Sequence, residues 1–243
     1  MFFIGKTDVG KRRANNQDCF NITELDGGSV LFTVCDGMGG ANGGNIASDI
    51  ASRVYVSNVR HALGTDSDEN VMKNAVVMAN SAVYEASNSD ESLKGMGTTL
   101  VSALVHENGQ ITVINVGDSR LYLIKDGDIT QITHDHSYVQ YLVDMGQITI
   151  TEAKNASIRN IIIRSIGNEE QTSPDVFNIE YNDNTYLLLC TDGLSNFVTN
   201  DQMLKAVKNV TTKEDADKCT DKLIKLANDM GGTDNITVIL IKL

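Results

Sequence analysis

Six short runs of β-branched and aliphatic residues constrain the fold of this chain more than any other feature of its sequence. They cover residues 29–35, 98–105, 110–116, 120–125, 186–190 and 236–241. Turn-forming pairs such as Asn108-Gly109 and Asp126-Gly127 separate several of them, which is typical of strands joined by tight turns. The runs between residues 98 and 125 are consecutive and closely spaced, so we expect them to pair with their neighbours as antiparallel strands. The sequence therefore predicts a fold built mainly from antiparallel sheet.

Helical periodicity appears in three other places. Apolar residues recur at the spacing of one helix face within 46–54, 71–82 and 223–230, and we interpret these stripes as faces packed on the core. The segment 137–168 shows no clear strand pattern and is predicted to be a mainly helical insertion. The acidic run 66–69 is interpreted as a solvated loop that leads into a helix.

Composition limits the possible classes of function. The 243 residues are 41% hydrophobic, which suits a single domain spanning 1–243 with a sizeable core. A net charge of -12 argues against nucleic acid as a partner, since binding to a phosphate backbone needs a basic surface. No stretch approaches the ~20 apolar residues that span a bilayer. The four cysteines form no C-x-x-C pair, so we expect a protein of the reducing cytoplasm. We also expect the protein to act as a monomer.

Aspartates beside glycines lie at the ends of several predicted strands. The four positions are Asp36-Gly37, Gly117-Asp118, Asp192-Gly193 and, just before the last run, Asp234. A strand end is a rigid mount, and a neighbouring glycine lets a backbone carbonyl approach an ion. Converging carboxylates repel one another unless cations lie between them, and such hard oxygen ligands suit Mg²⁺ or Mn²⁺. Zinc is not expected, because the histidines and cysteines show no ligand spacing.

An aspartate and glycine after a strand can also be an ordinary turn. Any single instance is more often a turn than a metal ligand. The recurrence of this pattern at four positions favours a metal site over coincidence. The spacing alone nevertheless leaves both a metal site and ordinary turns open.

Five motifs of the chain resemble, in the same order, those of the type-2C family of metal-dependent protein phosphatases, and in particular its compact bacterial members. They are Asp36-Gly37-Met38-Gly39-Gly40, Gly95-Met96-Gly97-Thr98-Thr99, Val116-Gly117-Asp118-Ser119-Arg120, Thr191-Asp192-Gly193-Leu194 and Gly232-Thr233-Asp234-Asn235-Ile236-Thr237. The resemblance implies an α+β fold, a four-layer α-β-β-α sandwich of two antiparallel sheets flanked by helices. It also implies that 137–168 is a small helical flap beside the active site.

The same resemblance implies a hydrolase that removes phosphate from serine and threonine side chains of proteins with Mn²⁺ or Mg²⁺. Asp36 would bridge two metals, and the carbonyl of Gly37 would bind the second. Asp192 and Asp234 would complete the ligands of the first, and Asp118 with Asp192 would form a third, weaker site. Two metals about 3.5–4 Å apart can activate a shared water for in-line attack on phosphorus, so no nucleophilic side chain is required.

Arg13 lies where the family places its phosphate-binding arginine, five residues before Asp18. A guanidinium contacts two phosphate oxygens at once and would supply positive charge that the acidic chain otherwise lacks. We therefore assign Arg13, with Asp36 and Asp192, to catalysis. The alternative is a solvated basic patch, because residues 11–13 are all basic.

Two departures from the family pattern concern the metal site and the proton donor. The family usually has glutamate where this chain has Gln17, which removes one negative charge near the second metal. We expect Gln17, Asp18 and Asn235 to lie next to the metal ligands and hold them in position. Because Gln17 is uncharged, we expect weaker metal binding with activity retained. Met38 stands where animal members carry a histidine proposed as general acid, and bacterial members commonly have methionine there. This leaves the proton donor open.

A third departure from the family pattern lies in the flap, and two histidines precede the flap. The flap has Asn-Ala-Ser at 155–157 where relatives often have His-Pro, which affects substrate contacts and not the chemistry. His134 and His136 could take part in catalysis, but a structural or surface role is the favoured interpretation.

The partners implied by the resemblance are phosphorylated proteins, the products of a serine/threonine kinase in the same cell. Two alternatives stay open. A pseudophosphatase would bind phosphoproteins without hydrolysing them; Gln17 favours it, whereas the retained Asp36, Asp192 and Asp234 argue against it. A hydrolase of small phosphorylated metabolites on the same scaffold is the other.

Overall fold

A computed structural model of the protein describes residues 1–181 and 184–243, except for the side chains of residues 40–42. Two antiparallel sheets form the centre of the described chain. Their strands are β1 (Phe2–Asp8), β2 (Asp18–Glu24), β3 (Val30–Met38), β4 (Gly97–Thr98), β5 (Leu100–Val105), β6 (Gln110–Val116), β7 (Arg120–Lys125), β8 (Asp128–Gln131), β9 (Asp175–Glu180), β10 (Tyr186–Cys190) and β11 (Ile236–Lys242).

One sheet has the order β1-β11-β10-β7-β8, and the other has the order β2-β3-β5-β6-β9, with β4 paired to β3. All these pairs are antiparallel, as the sequence predicts. The expectation that every neighbouring run pairs is wrong at one point, because β6 and β7 belong to different sheets. The turn 117–119 between them crosses from one sheet to the other, so Asp118 lies where the two sheets meet.

Residue alternation along β3 shows how the sheets are covered. Val30, Phe32 and Val34 face the other sheet, while Leu31 and Cys35 face the helices on the outer side. All five side chains are buried. Both faces of the central strands are therefore apolar, which explains their continuous hydrophobic runs.

Helices cover the outer face of each sheet and complete the predicted α-β-β-α sandwich. The described helices are α1 (Gly40–Ala62), α2 (Asp68–Ser89), α3 (Tyr138–Asp144), α4 (Ile150–Asn155), α5 (Asp192–Ser195), α6 (Asn200–Val207) and α7 (Lys213–Asp229), of which α3 and α4 belong to the insertion 137–168. Helix α1 packs on β2 and β3, with α2 against it, and α7 packs on β1 and β11. Ser67 caps the start of α2 by accepting a hydrogen bond from the backbone of Asn70, so the acidic run 66–69 does lead into a helix.

The predicted insertion 137–168 contains the two short helices α3 and α4. An isolated bridge between Ser137 and Ile162 closes the segment on itself, and one between Thr98 and Ile166 fixes its C-terminal end to the body of the protein. No helix in the described part of the chain is both long and apolar enough to cross a membrane.

Candidate active site

Four aspartates from distant parts of the chain meet at one end of the sandwich. Asp36 lies near the end of β3, Asp118 in the crossing turn, Asp192 directly after β10, and Asp234 just before β11. They line one cavity of about 500 Å³. The other predicted residues that line it are Arg13, Gln17, Gly37 and Met38. The fold thus brings together the residues that the sequence indicates, across about 200 residues of chain.

Two threonines of the 95–99 motif fix the backbone of Asp36. The Asp36 N–H donates to Thr99 Oγ1 at 2.9 Å, and its carbonyl accepts from Thr99 N–H and Thr98 Oγ1, both at 2.9 Å. The hydroxyls of Thr99 and Ser119 lie 2.7 Å apart. This motif therefore holds Asp36 in place and ties it to the residue that follows Asp118.

The glycines next to Asp36 and Asp192 are required by close backbone packing. A Cβ atom on Gly37 would lie 2.1 Å from the carbonyl oxygen of Gly44, and one on Gly193 would lie 1.8 Å from that of Asn235. Only glycine fits such approaches. The pairing of each aspartate with a glycine therefore reflects how tightly the strand ends are packed here.

Burial raises the pKa of each carboxyl group at the centre of the cluster. It raises the pKa of Asp36 and that of Asp118 well above the usual range and that of Asp192 to about 6, and neighbouring carboxylates add to each shift. Asp36 and Asp192 lie close enough for each to influence the pKa of the other. Negative charge is thus concentrated in a poorly solvated place, where a cation would be strongly favoured.

Asp18 lies behind Asp36, opposite it in the β2–β3 ladder. Its Oδ2 accepts hydrogen bonds from Thr191 Oγ1 at 2.9 Å and Thr237 Oγ1 at 2.6 Å. Burial raises the pKa of Asp18 to about 7, although these two hydroxyls oppose the shift. Its Oδ1 is buried and has no hydrogen-bond partner in the described structure. That orphaned acceptor is available to a donor or cation entering the site.

Arg13 reaches the cluster from the loop after β1. Its Nη2 donates to Asp234 Oδ2 at 2.8 Å, and the side chain remains about half exposed. The guanidinium is therefore at the mouth of the cavity, as a phosphate-binding group should be, and it contacts one of the predicted metal ligands.

Asn235 holds the loop that carries Arg13 and Gln17. Its Nδ2 donates to the carbonyls of Val9 and Asn15, at 2.9 and 3.0 Å, and its Oδ1 accepts from the Gln17 N–H at 2.8 Å. Both the NH₂ group and the carbonyl oxygen of this buried amide therefore form hydrogen bonds with the backbone of the loop. Asn235 and Asp18 therefore support the cavity without lining it.

The geometry can be compared with known proteins. Residues 8–227 match the model of the family described as protein phosphatase 2C. The chain belongs to the protein phosphatase 2C family. It is 35% identical to the serine/threonine phosphatase Stp of Listeria monocytogenes serotype 4b over 240 residues, which cover 98% of this chain and 94% of that protein.

Solved structures of family members have the same fold. The serine/threonine phosphatase PstP/Ppp of Mycobacterium tuberculosis superposes with a TM-score of 0.90 at 32% identity, covering 100% of this chain and 98% of that one. A structure of the PstP catalytic domain in complex with two manganese ions gives a TM-score of 0.85 at 33% identity, covering 98% and 96%. This phosphatase 2C chain therefore shares the family's whole architecture, and the resemblance noted from its motifs is confirmed.

Within the described residues of this phosphatase 2C chain, no three Asp, Glu, His or Cys side chains enclose a metal ion as they stand. Asp234 is engaged by Arg13, and Asp18 by two threonines. The donor set is nonetheless made of carboxylate and carbonyl oxygens, which fits Mn²⁺ or Mg²⁺ and not a softer metal.

Four of the described residues that line the cavity were not predicted, and two of them, Ala14 and Asn15, follow Arg13 in the same loop. Asn160 and Ile162 come from the segment 137–168 and carry no local motif that would reveal them. Thr191 and Thr237 were also missed as supports of Asp18, although both lie within recognised motifs, where a hydroxyl beside an aspartate is a usable signal.

The histidines have the structural roles that the sequence favours. His134 Nε2 lies 2.8 Å from Asp144 Oδ2 near the surface. His136 is buried; its Nδ1 accepts from Gly117 N–H at 3.0 Å, and its Nε2 lies 3.1 Å from Asp175 Oδ2. Within the described chain, neither ring lines the cavity. Proton donation from a histidine therefore has no support in this geometry.

Proposed function

We propose that this chain hydrolyses phosphoserine and phosphothreonine in proteins, using Mn²⁺ or Mg²⁺ held by the aspartate cluster. The observation that carries this proposal is the convergence on one cavity of four aspartates, Asp118 buried and the other three half-buried, together with Arg13. Membership of a family of serine/threonine phosphatases supplies the reaction class. The cluster supplies the place where it happens.

Asp36, Asp192 and Asp234, with the carbonyl of Gly37 and with Asp118, are the residues that would hold the metals. When bound, Mn²⁺ or Mg²⁺ supplies the Lewis-acid charge that activates water and offsets the charge of the phosphate. The residues themselves fit this task, because burial makes their carboxylates costly until a cation neutralises them. Thr98, Thr99 and Asn235 contribute by fixing the backbones from which these ligands project.

Arg13 would bind and orient the phosphate. A guanidinium has five N–H donors, and Asp234 accepts from one of them at 2.8 Å. The Nε–H donates to the Thr233 carbonyl at 3.4 Å, and the remaining N–H groups can contact phosphate oxygens at the mouth of the cavity. Binding there would place the phosphorus above the aspartate cluster. Asn160 and Ile162 contribute the opposite wall, where residues flanking the phosphorylated side chain would pass.

Three finer points belong to the same proposal. The substrates would be products of a serine/threonine kinase in the same cell. The protein would act as a monomer, because the four proposed metal-binding aspartates and Arg13 already meet within a single chain and need no residue from a second copy. The four free cysteines, three of them buried, favour the reducing cytoplasm. Light scattering on the purified protein tests the monomer, and a dimer at low micromolar concentration would contradict it.

The test of the function is hydrolysis of a phosphothreonine peptide and of an aryl phosphate, with Mn²⁺, with Mg²⁺ and with a chelator. We expect turnover of both substrates with either metal and loss of turnover with the chelator. Binding of the phosphopeptide without turnover under any condition would instead identify a pseudophosphatase. A strong preference for small phosphorylated metabolites over the peptide would favour the metabolite hydrolase.

A further inference from the structure

A second cavity of about 270 Å³ lies at the end of the sandwich opposite the aspartate cluster. It forms where β7 turns into β8, beside the start of β10 and the last turn of α6. Strands β7 and β10 carry Lys125 and Tyr186 at this end, while Asp118 and Asp192 flank their other ends. Asp192 lies six positions after Tyr186 along β10 and the extended Thr191 that follows it, a distance of about 20 Å. A ligand here would not enter the catalytic cavity.

The floor of this cavity is apolar and its rim is basic. Ile124, Leu204 and Val207 contribute aliphatic side chains, and Tyr186 contributes its ring, whose hydroxyl is already engaged by the carbonyl of Val210 at 2.6 Å. The rim carries Lys125, Lys205 and Lys208, with Asp126 as its one acidic side chain among the described lining residues. An apolar floor inside a positive rim matches an anion that has a large apolar group.

The three rim lysines differ from most others in this protein. Six lysines elsewhere pair with carboxylates, namely Lys6, Lys11, Lys73, Lys94, Lys218 and Lys225. No ion pair or hydrogen bond involves the Lys125, Lys205 or Lys208 ammonium groups in the described structure. In a chain with 32 acidic and 20 basic residues, three such lysines around one cavity form a local reversal of charge. Two of them lie near the C-terminus of α6, where its dipole favours cations, but Lys125 comes from the β7–β8 turn.

We propose that this cavity is a docking site for an acidic peptide segment that inserts one aromatic or long aliphatic side chain. The inference rests on the proposed function, since the segment would belong to the phosphoproteins on which the enzyme acts. The volume is slightly below the ~300 Å³ at which pockets for drug-sized ligands begin, and it suits a single large side chain. Acidic residues on either side of the anchor would meet the lysines. A protein of net charge -12 repels acidic substrates elsewhere on its surface, so this rim would decide which of them are retained.

The first experiment measures binding of a fluorescein-labelled peptide, Asp-Glu-Asp-Phe-Asp-Glu-Asp, by anisotropy at about 0.15 M salt, where long-range attraction is screened. The docking variant is Lys125→Gln/Lys205→Gln/Lys208→Gln. The matched control is Lys94→Gln/Lys218→Gln/Lys225→Gln, which changes the net charge equally at exposed positions. We expect the docking variant to bind at least about tenfold more weakly and the control to bind like the wild type. Replacing Phe by Ala in the peptide should have a similar effect on the wild type.

The second experiment links docking to catalysis. A phosphothreonine peptide joined to the same acidic segment by a flexible Gly/Ser linker should have a lower KM than the unlinked phosphopeptide. The docking variant should lose that advantage while its kcat and KM for aryl phosphate stay unchanged. Loss of aryl phosphate hydrolysis by the wild type would refute the proposed function and leave the binding result intact. Equal binding of the Phe and Ala peptides, or equal weakening in the control variant, would overturn the docking site.

Discussion

Asp135 and the aspartate cluster lie close together in this protein, and their charges are neutralised in opposite ways. Asp135 receives both prongs of the Arg120 guanidinium, at 2.6 to 3.1 Å, and a hydrogen bond from Gln131. Asp36 and Asp118 accept no hydrogen bond from a basic side chain in the described structure, and their nearest charged neighbours are mostly other aspartates. Only one residue, Ser119, separates Asp118 from Arg120.

The comparison indicates that Asp135 has a structural role, whereas the aspartate cluster is suited to binding cations. A buried carboxylate without a counter-charge lowers stability, so it persists only where something outside the chain neutralises it. Arg120 makes the Asp135 site complete within the protein. The aspartate cluster is incomplete until cations bind, which is the physical reason to place the metals there.

The largest effect should come from removing a carboxylate of the cluster. Asp192→Asn and Asp36→Asn should each lower aryl phosphate hydrolysis by more than about a thousandfold, since each removes a group central to the reaction. The metal-free variants should be no less stable than metal-free wild type, because one repelling charge is gone. Steady-state rates with Mn²⁺ and thermal unfolding with chelator measure the two outcomes. An active Asp192→Asn enzyme would contradict the metal site.

Removing the charge of Asp135, which is paired with Arg120, should lower the stability of the metal-free protein. Asp135→Asn leaves Arg120 buried without its counter-charge, and we expect a loss of about 3–5 kcal/mol in the free energy of unfolding. Urea unfolding measures it. The double variant Arg120→Met/Asp135→Leu removes both charges and should regain much of the loss. If Asp135→Asn and Asp192→Asn changed metal-free stability alike, the contrast between the two groups would be wrong.

The pH dependence of stability should expose the same contrast. The pKa of Asp18 is raised to about 7 and that of Asp192 to about 6, so the folded, metal-free protein holds protons that the unfolded chain releases near pH 4. Their stabilising contribution is full below about pH 4 and is lost as pH rises to about 7. For Asp192 it is on the order of 3 kcal/mol.

Mn²⁺ should reverse this trend, because it binds the deprotonated carboxylates. His136 acts in the other direction, since burial lowers its pKa and its contribution is lost as pH falls. The informative quantity is therefore the difference between wild type and Asp192→Asn, in which His136 cancels. Melting temperatures of the chelated proteins from pH 5 to 8 provide it. A difference that does not change with pH would show that Asp192 is already ionised without metal.

Arg13→Ala should have a smaller effect that falls mainly on binding. We expect KM for aryl phosphate to rise about tenfold with a lesser fall in kcat, because the guanidinium contacts phosphate already in the ground state. Arg12→Ala is the matched control, an exposed arginine next to it that does not line the cavity in the described structure. Equal effects of the two substitutions would return Arg13 to the solvated basic patch.

The sequence predicted the central strands and the meeting of the four aspartates well, and the sheet edges and distant contacts poorly. Strands β6, β7 and β10 have the predicted bounds, because burial on both faces gives continuous apolar runs. The four strands that were missed, β1, β2, β8 and β9, are the edges of the two sheets. Their half-buried faces admit polar residues, which weakens the pattern. The Arg13–Asp234 pair joins residues 221 apart, and only folding reveals it.

The smallest and most specific effect concerns Gln17, which lines the cavity beside the aspartates. Its backbone is fixed on both sides, since its carbonyl accepts from Gly37 N–H at 3.1 Å and Ser48 Oγ at 2.7 Å. Glutamate is nearly the same size, so Gln17→Glu should add a negative charge without moving the loop. We expect the Mn²⁺ concentration for half-maximal activity to fall several-fold, within the ~10–100-fold range of residues that support metal ligands.

Saturated turnover should change little in Gln17→Glu, because Asp36 and the other ligands are unaltered. The measurement is activity against free Mn²⁺ for both proteins, with calorimetric titration of Mn²⁺ on the same samples. Gln110→Glu is the matched control, since it makes the same charge change on an exposed side chain at the start of β6, while Asp118 follows the other end of that strand. A shift in the Gln17→Glu titration alone means that position 17 acts through the local field at the cluster. If both variants shift equally, net charge is the cause, and if neither shifts, the departure of Gln17 from the family pattern has no effect on metal binding.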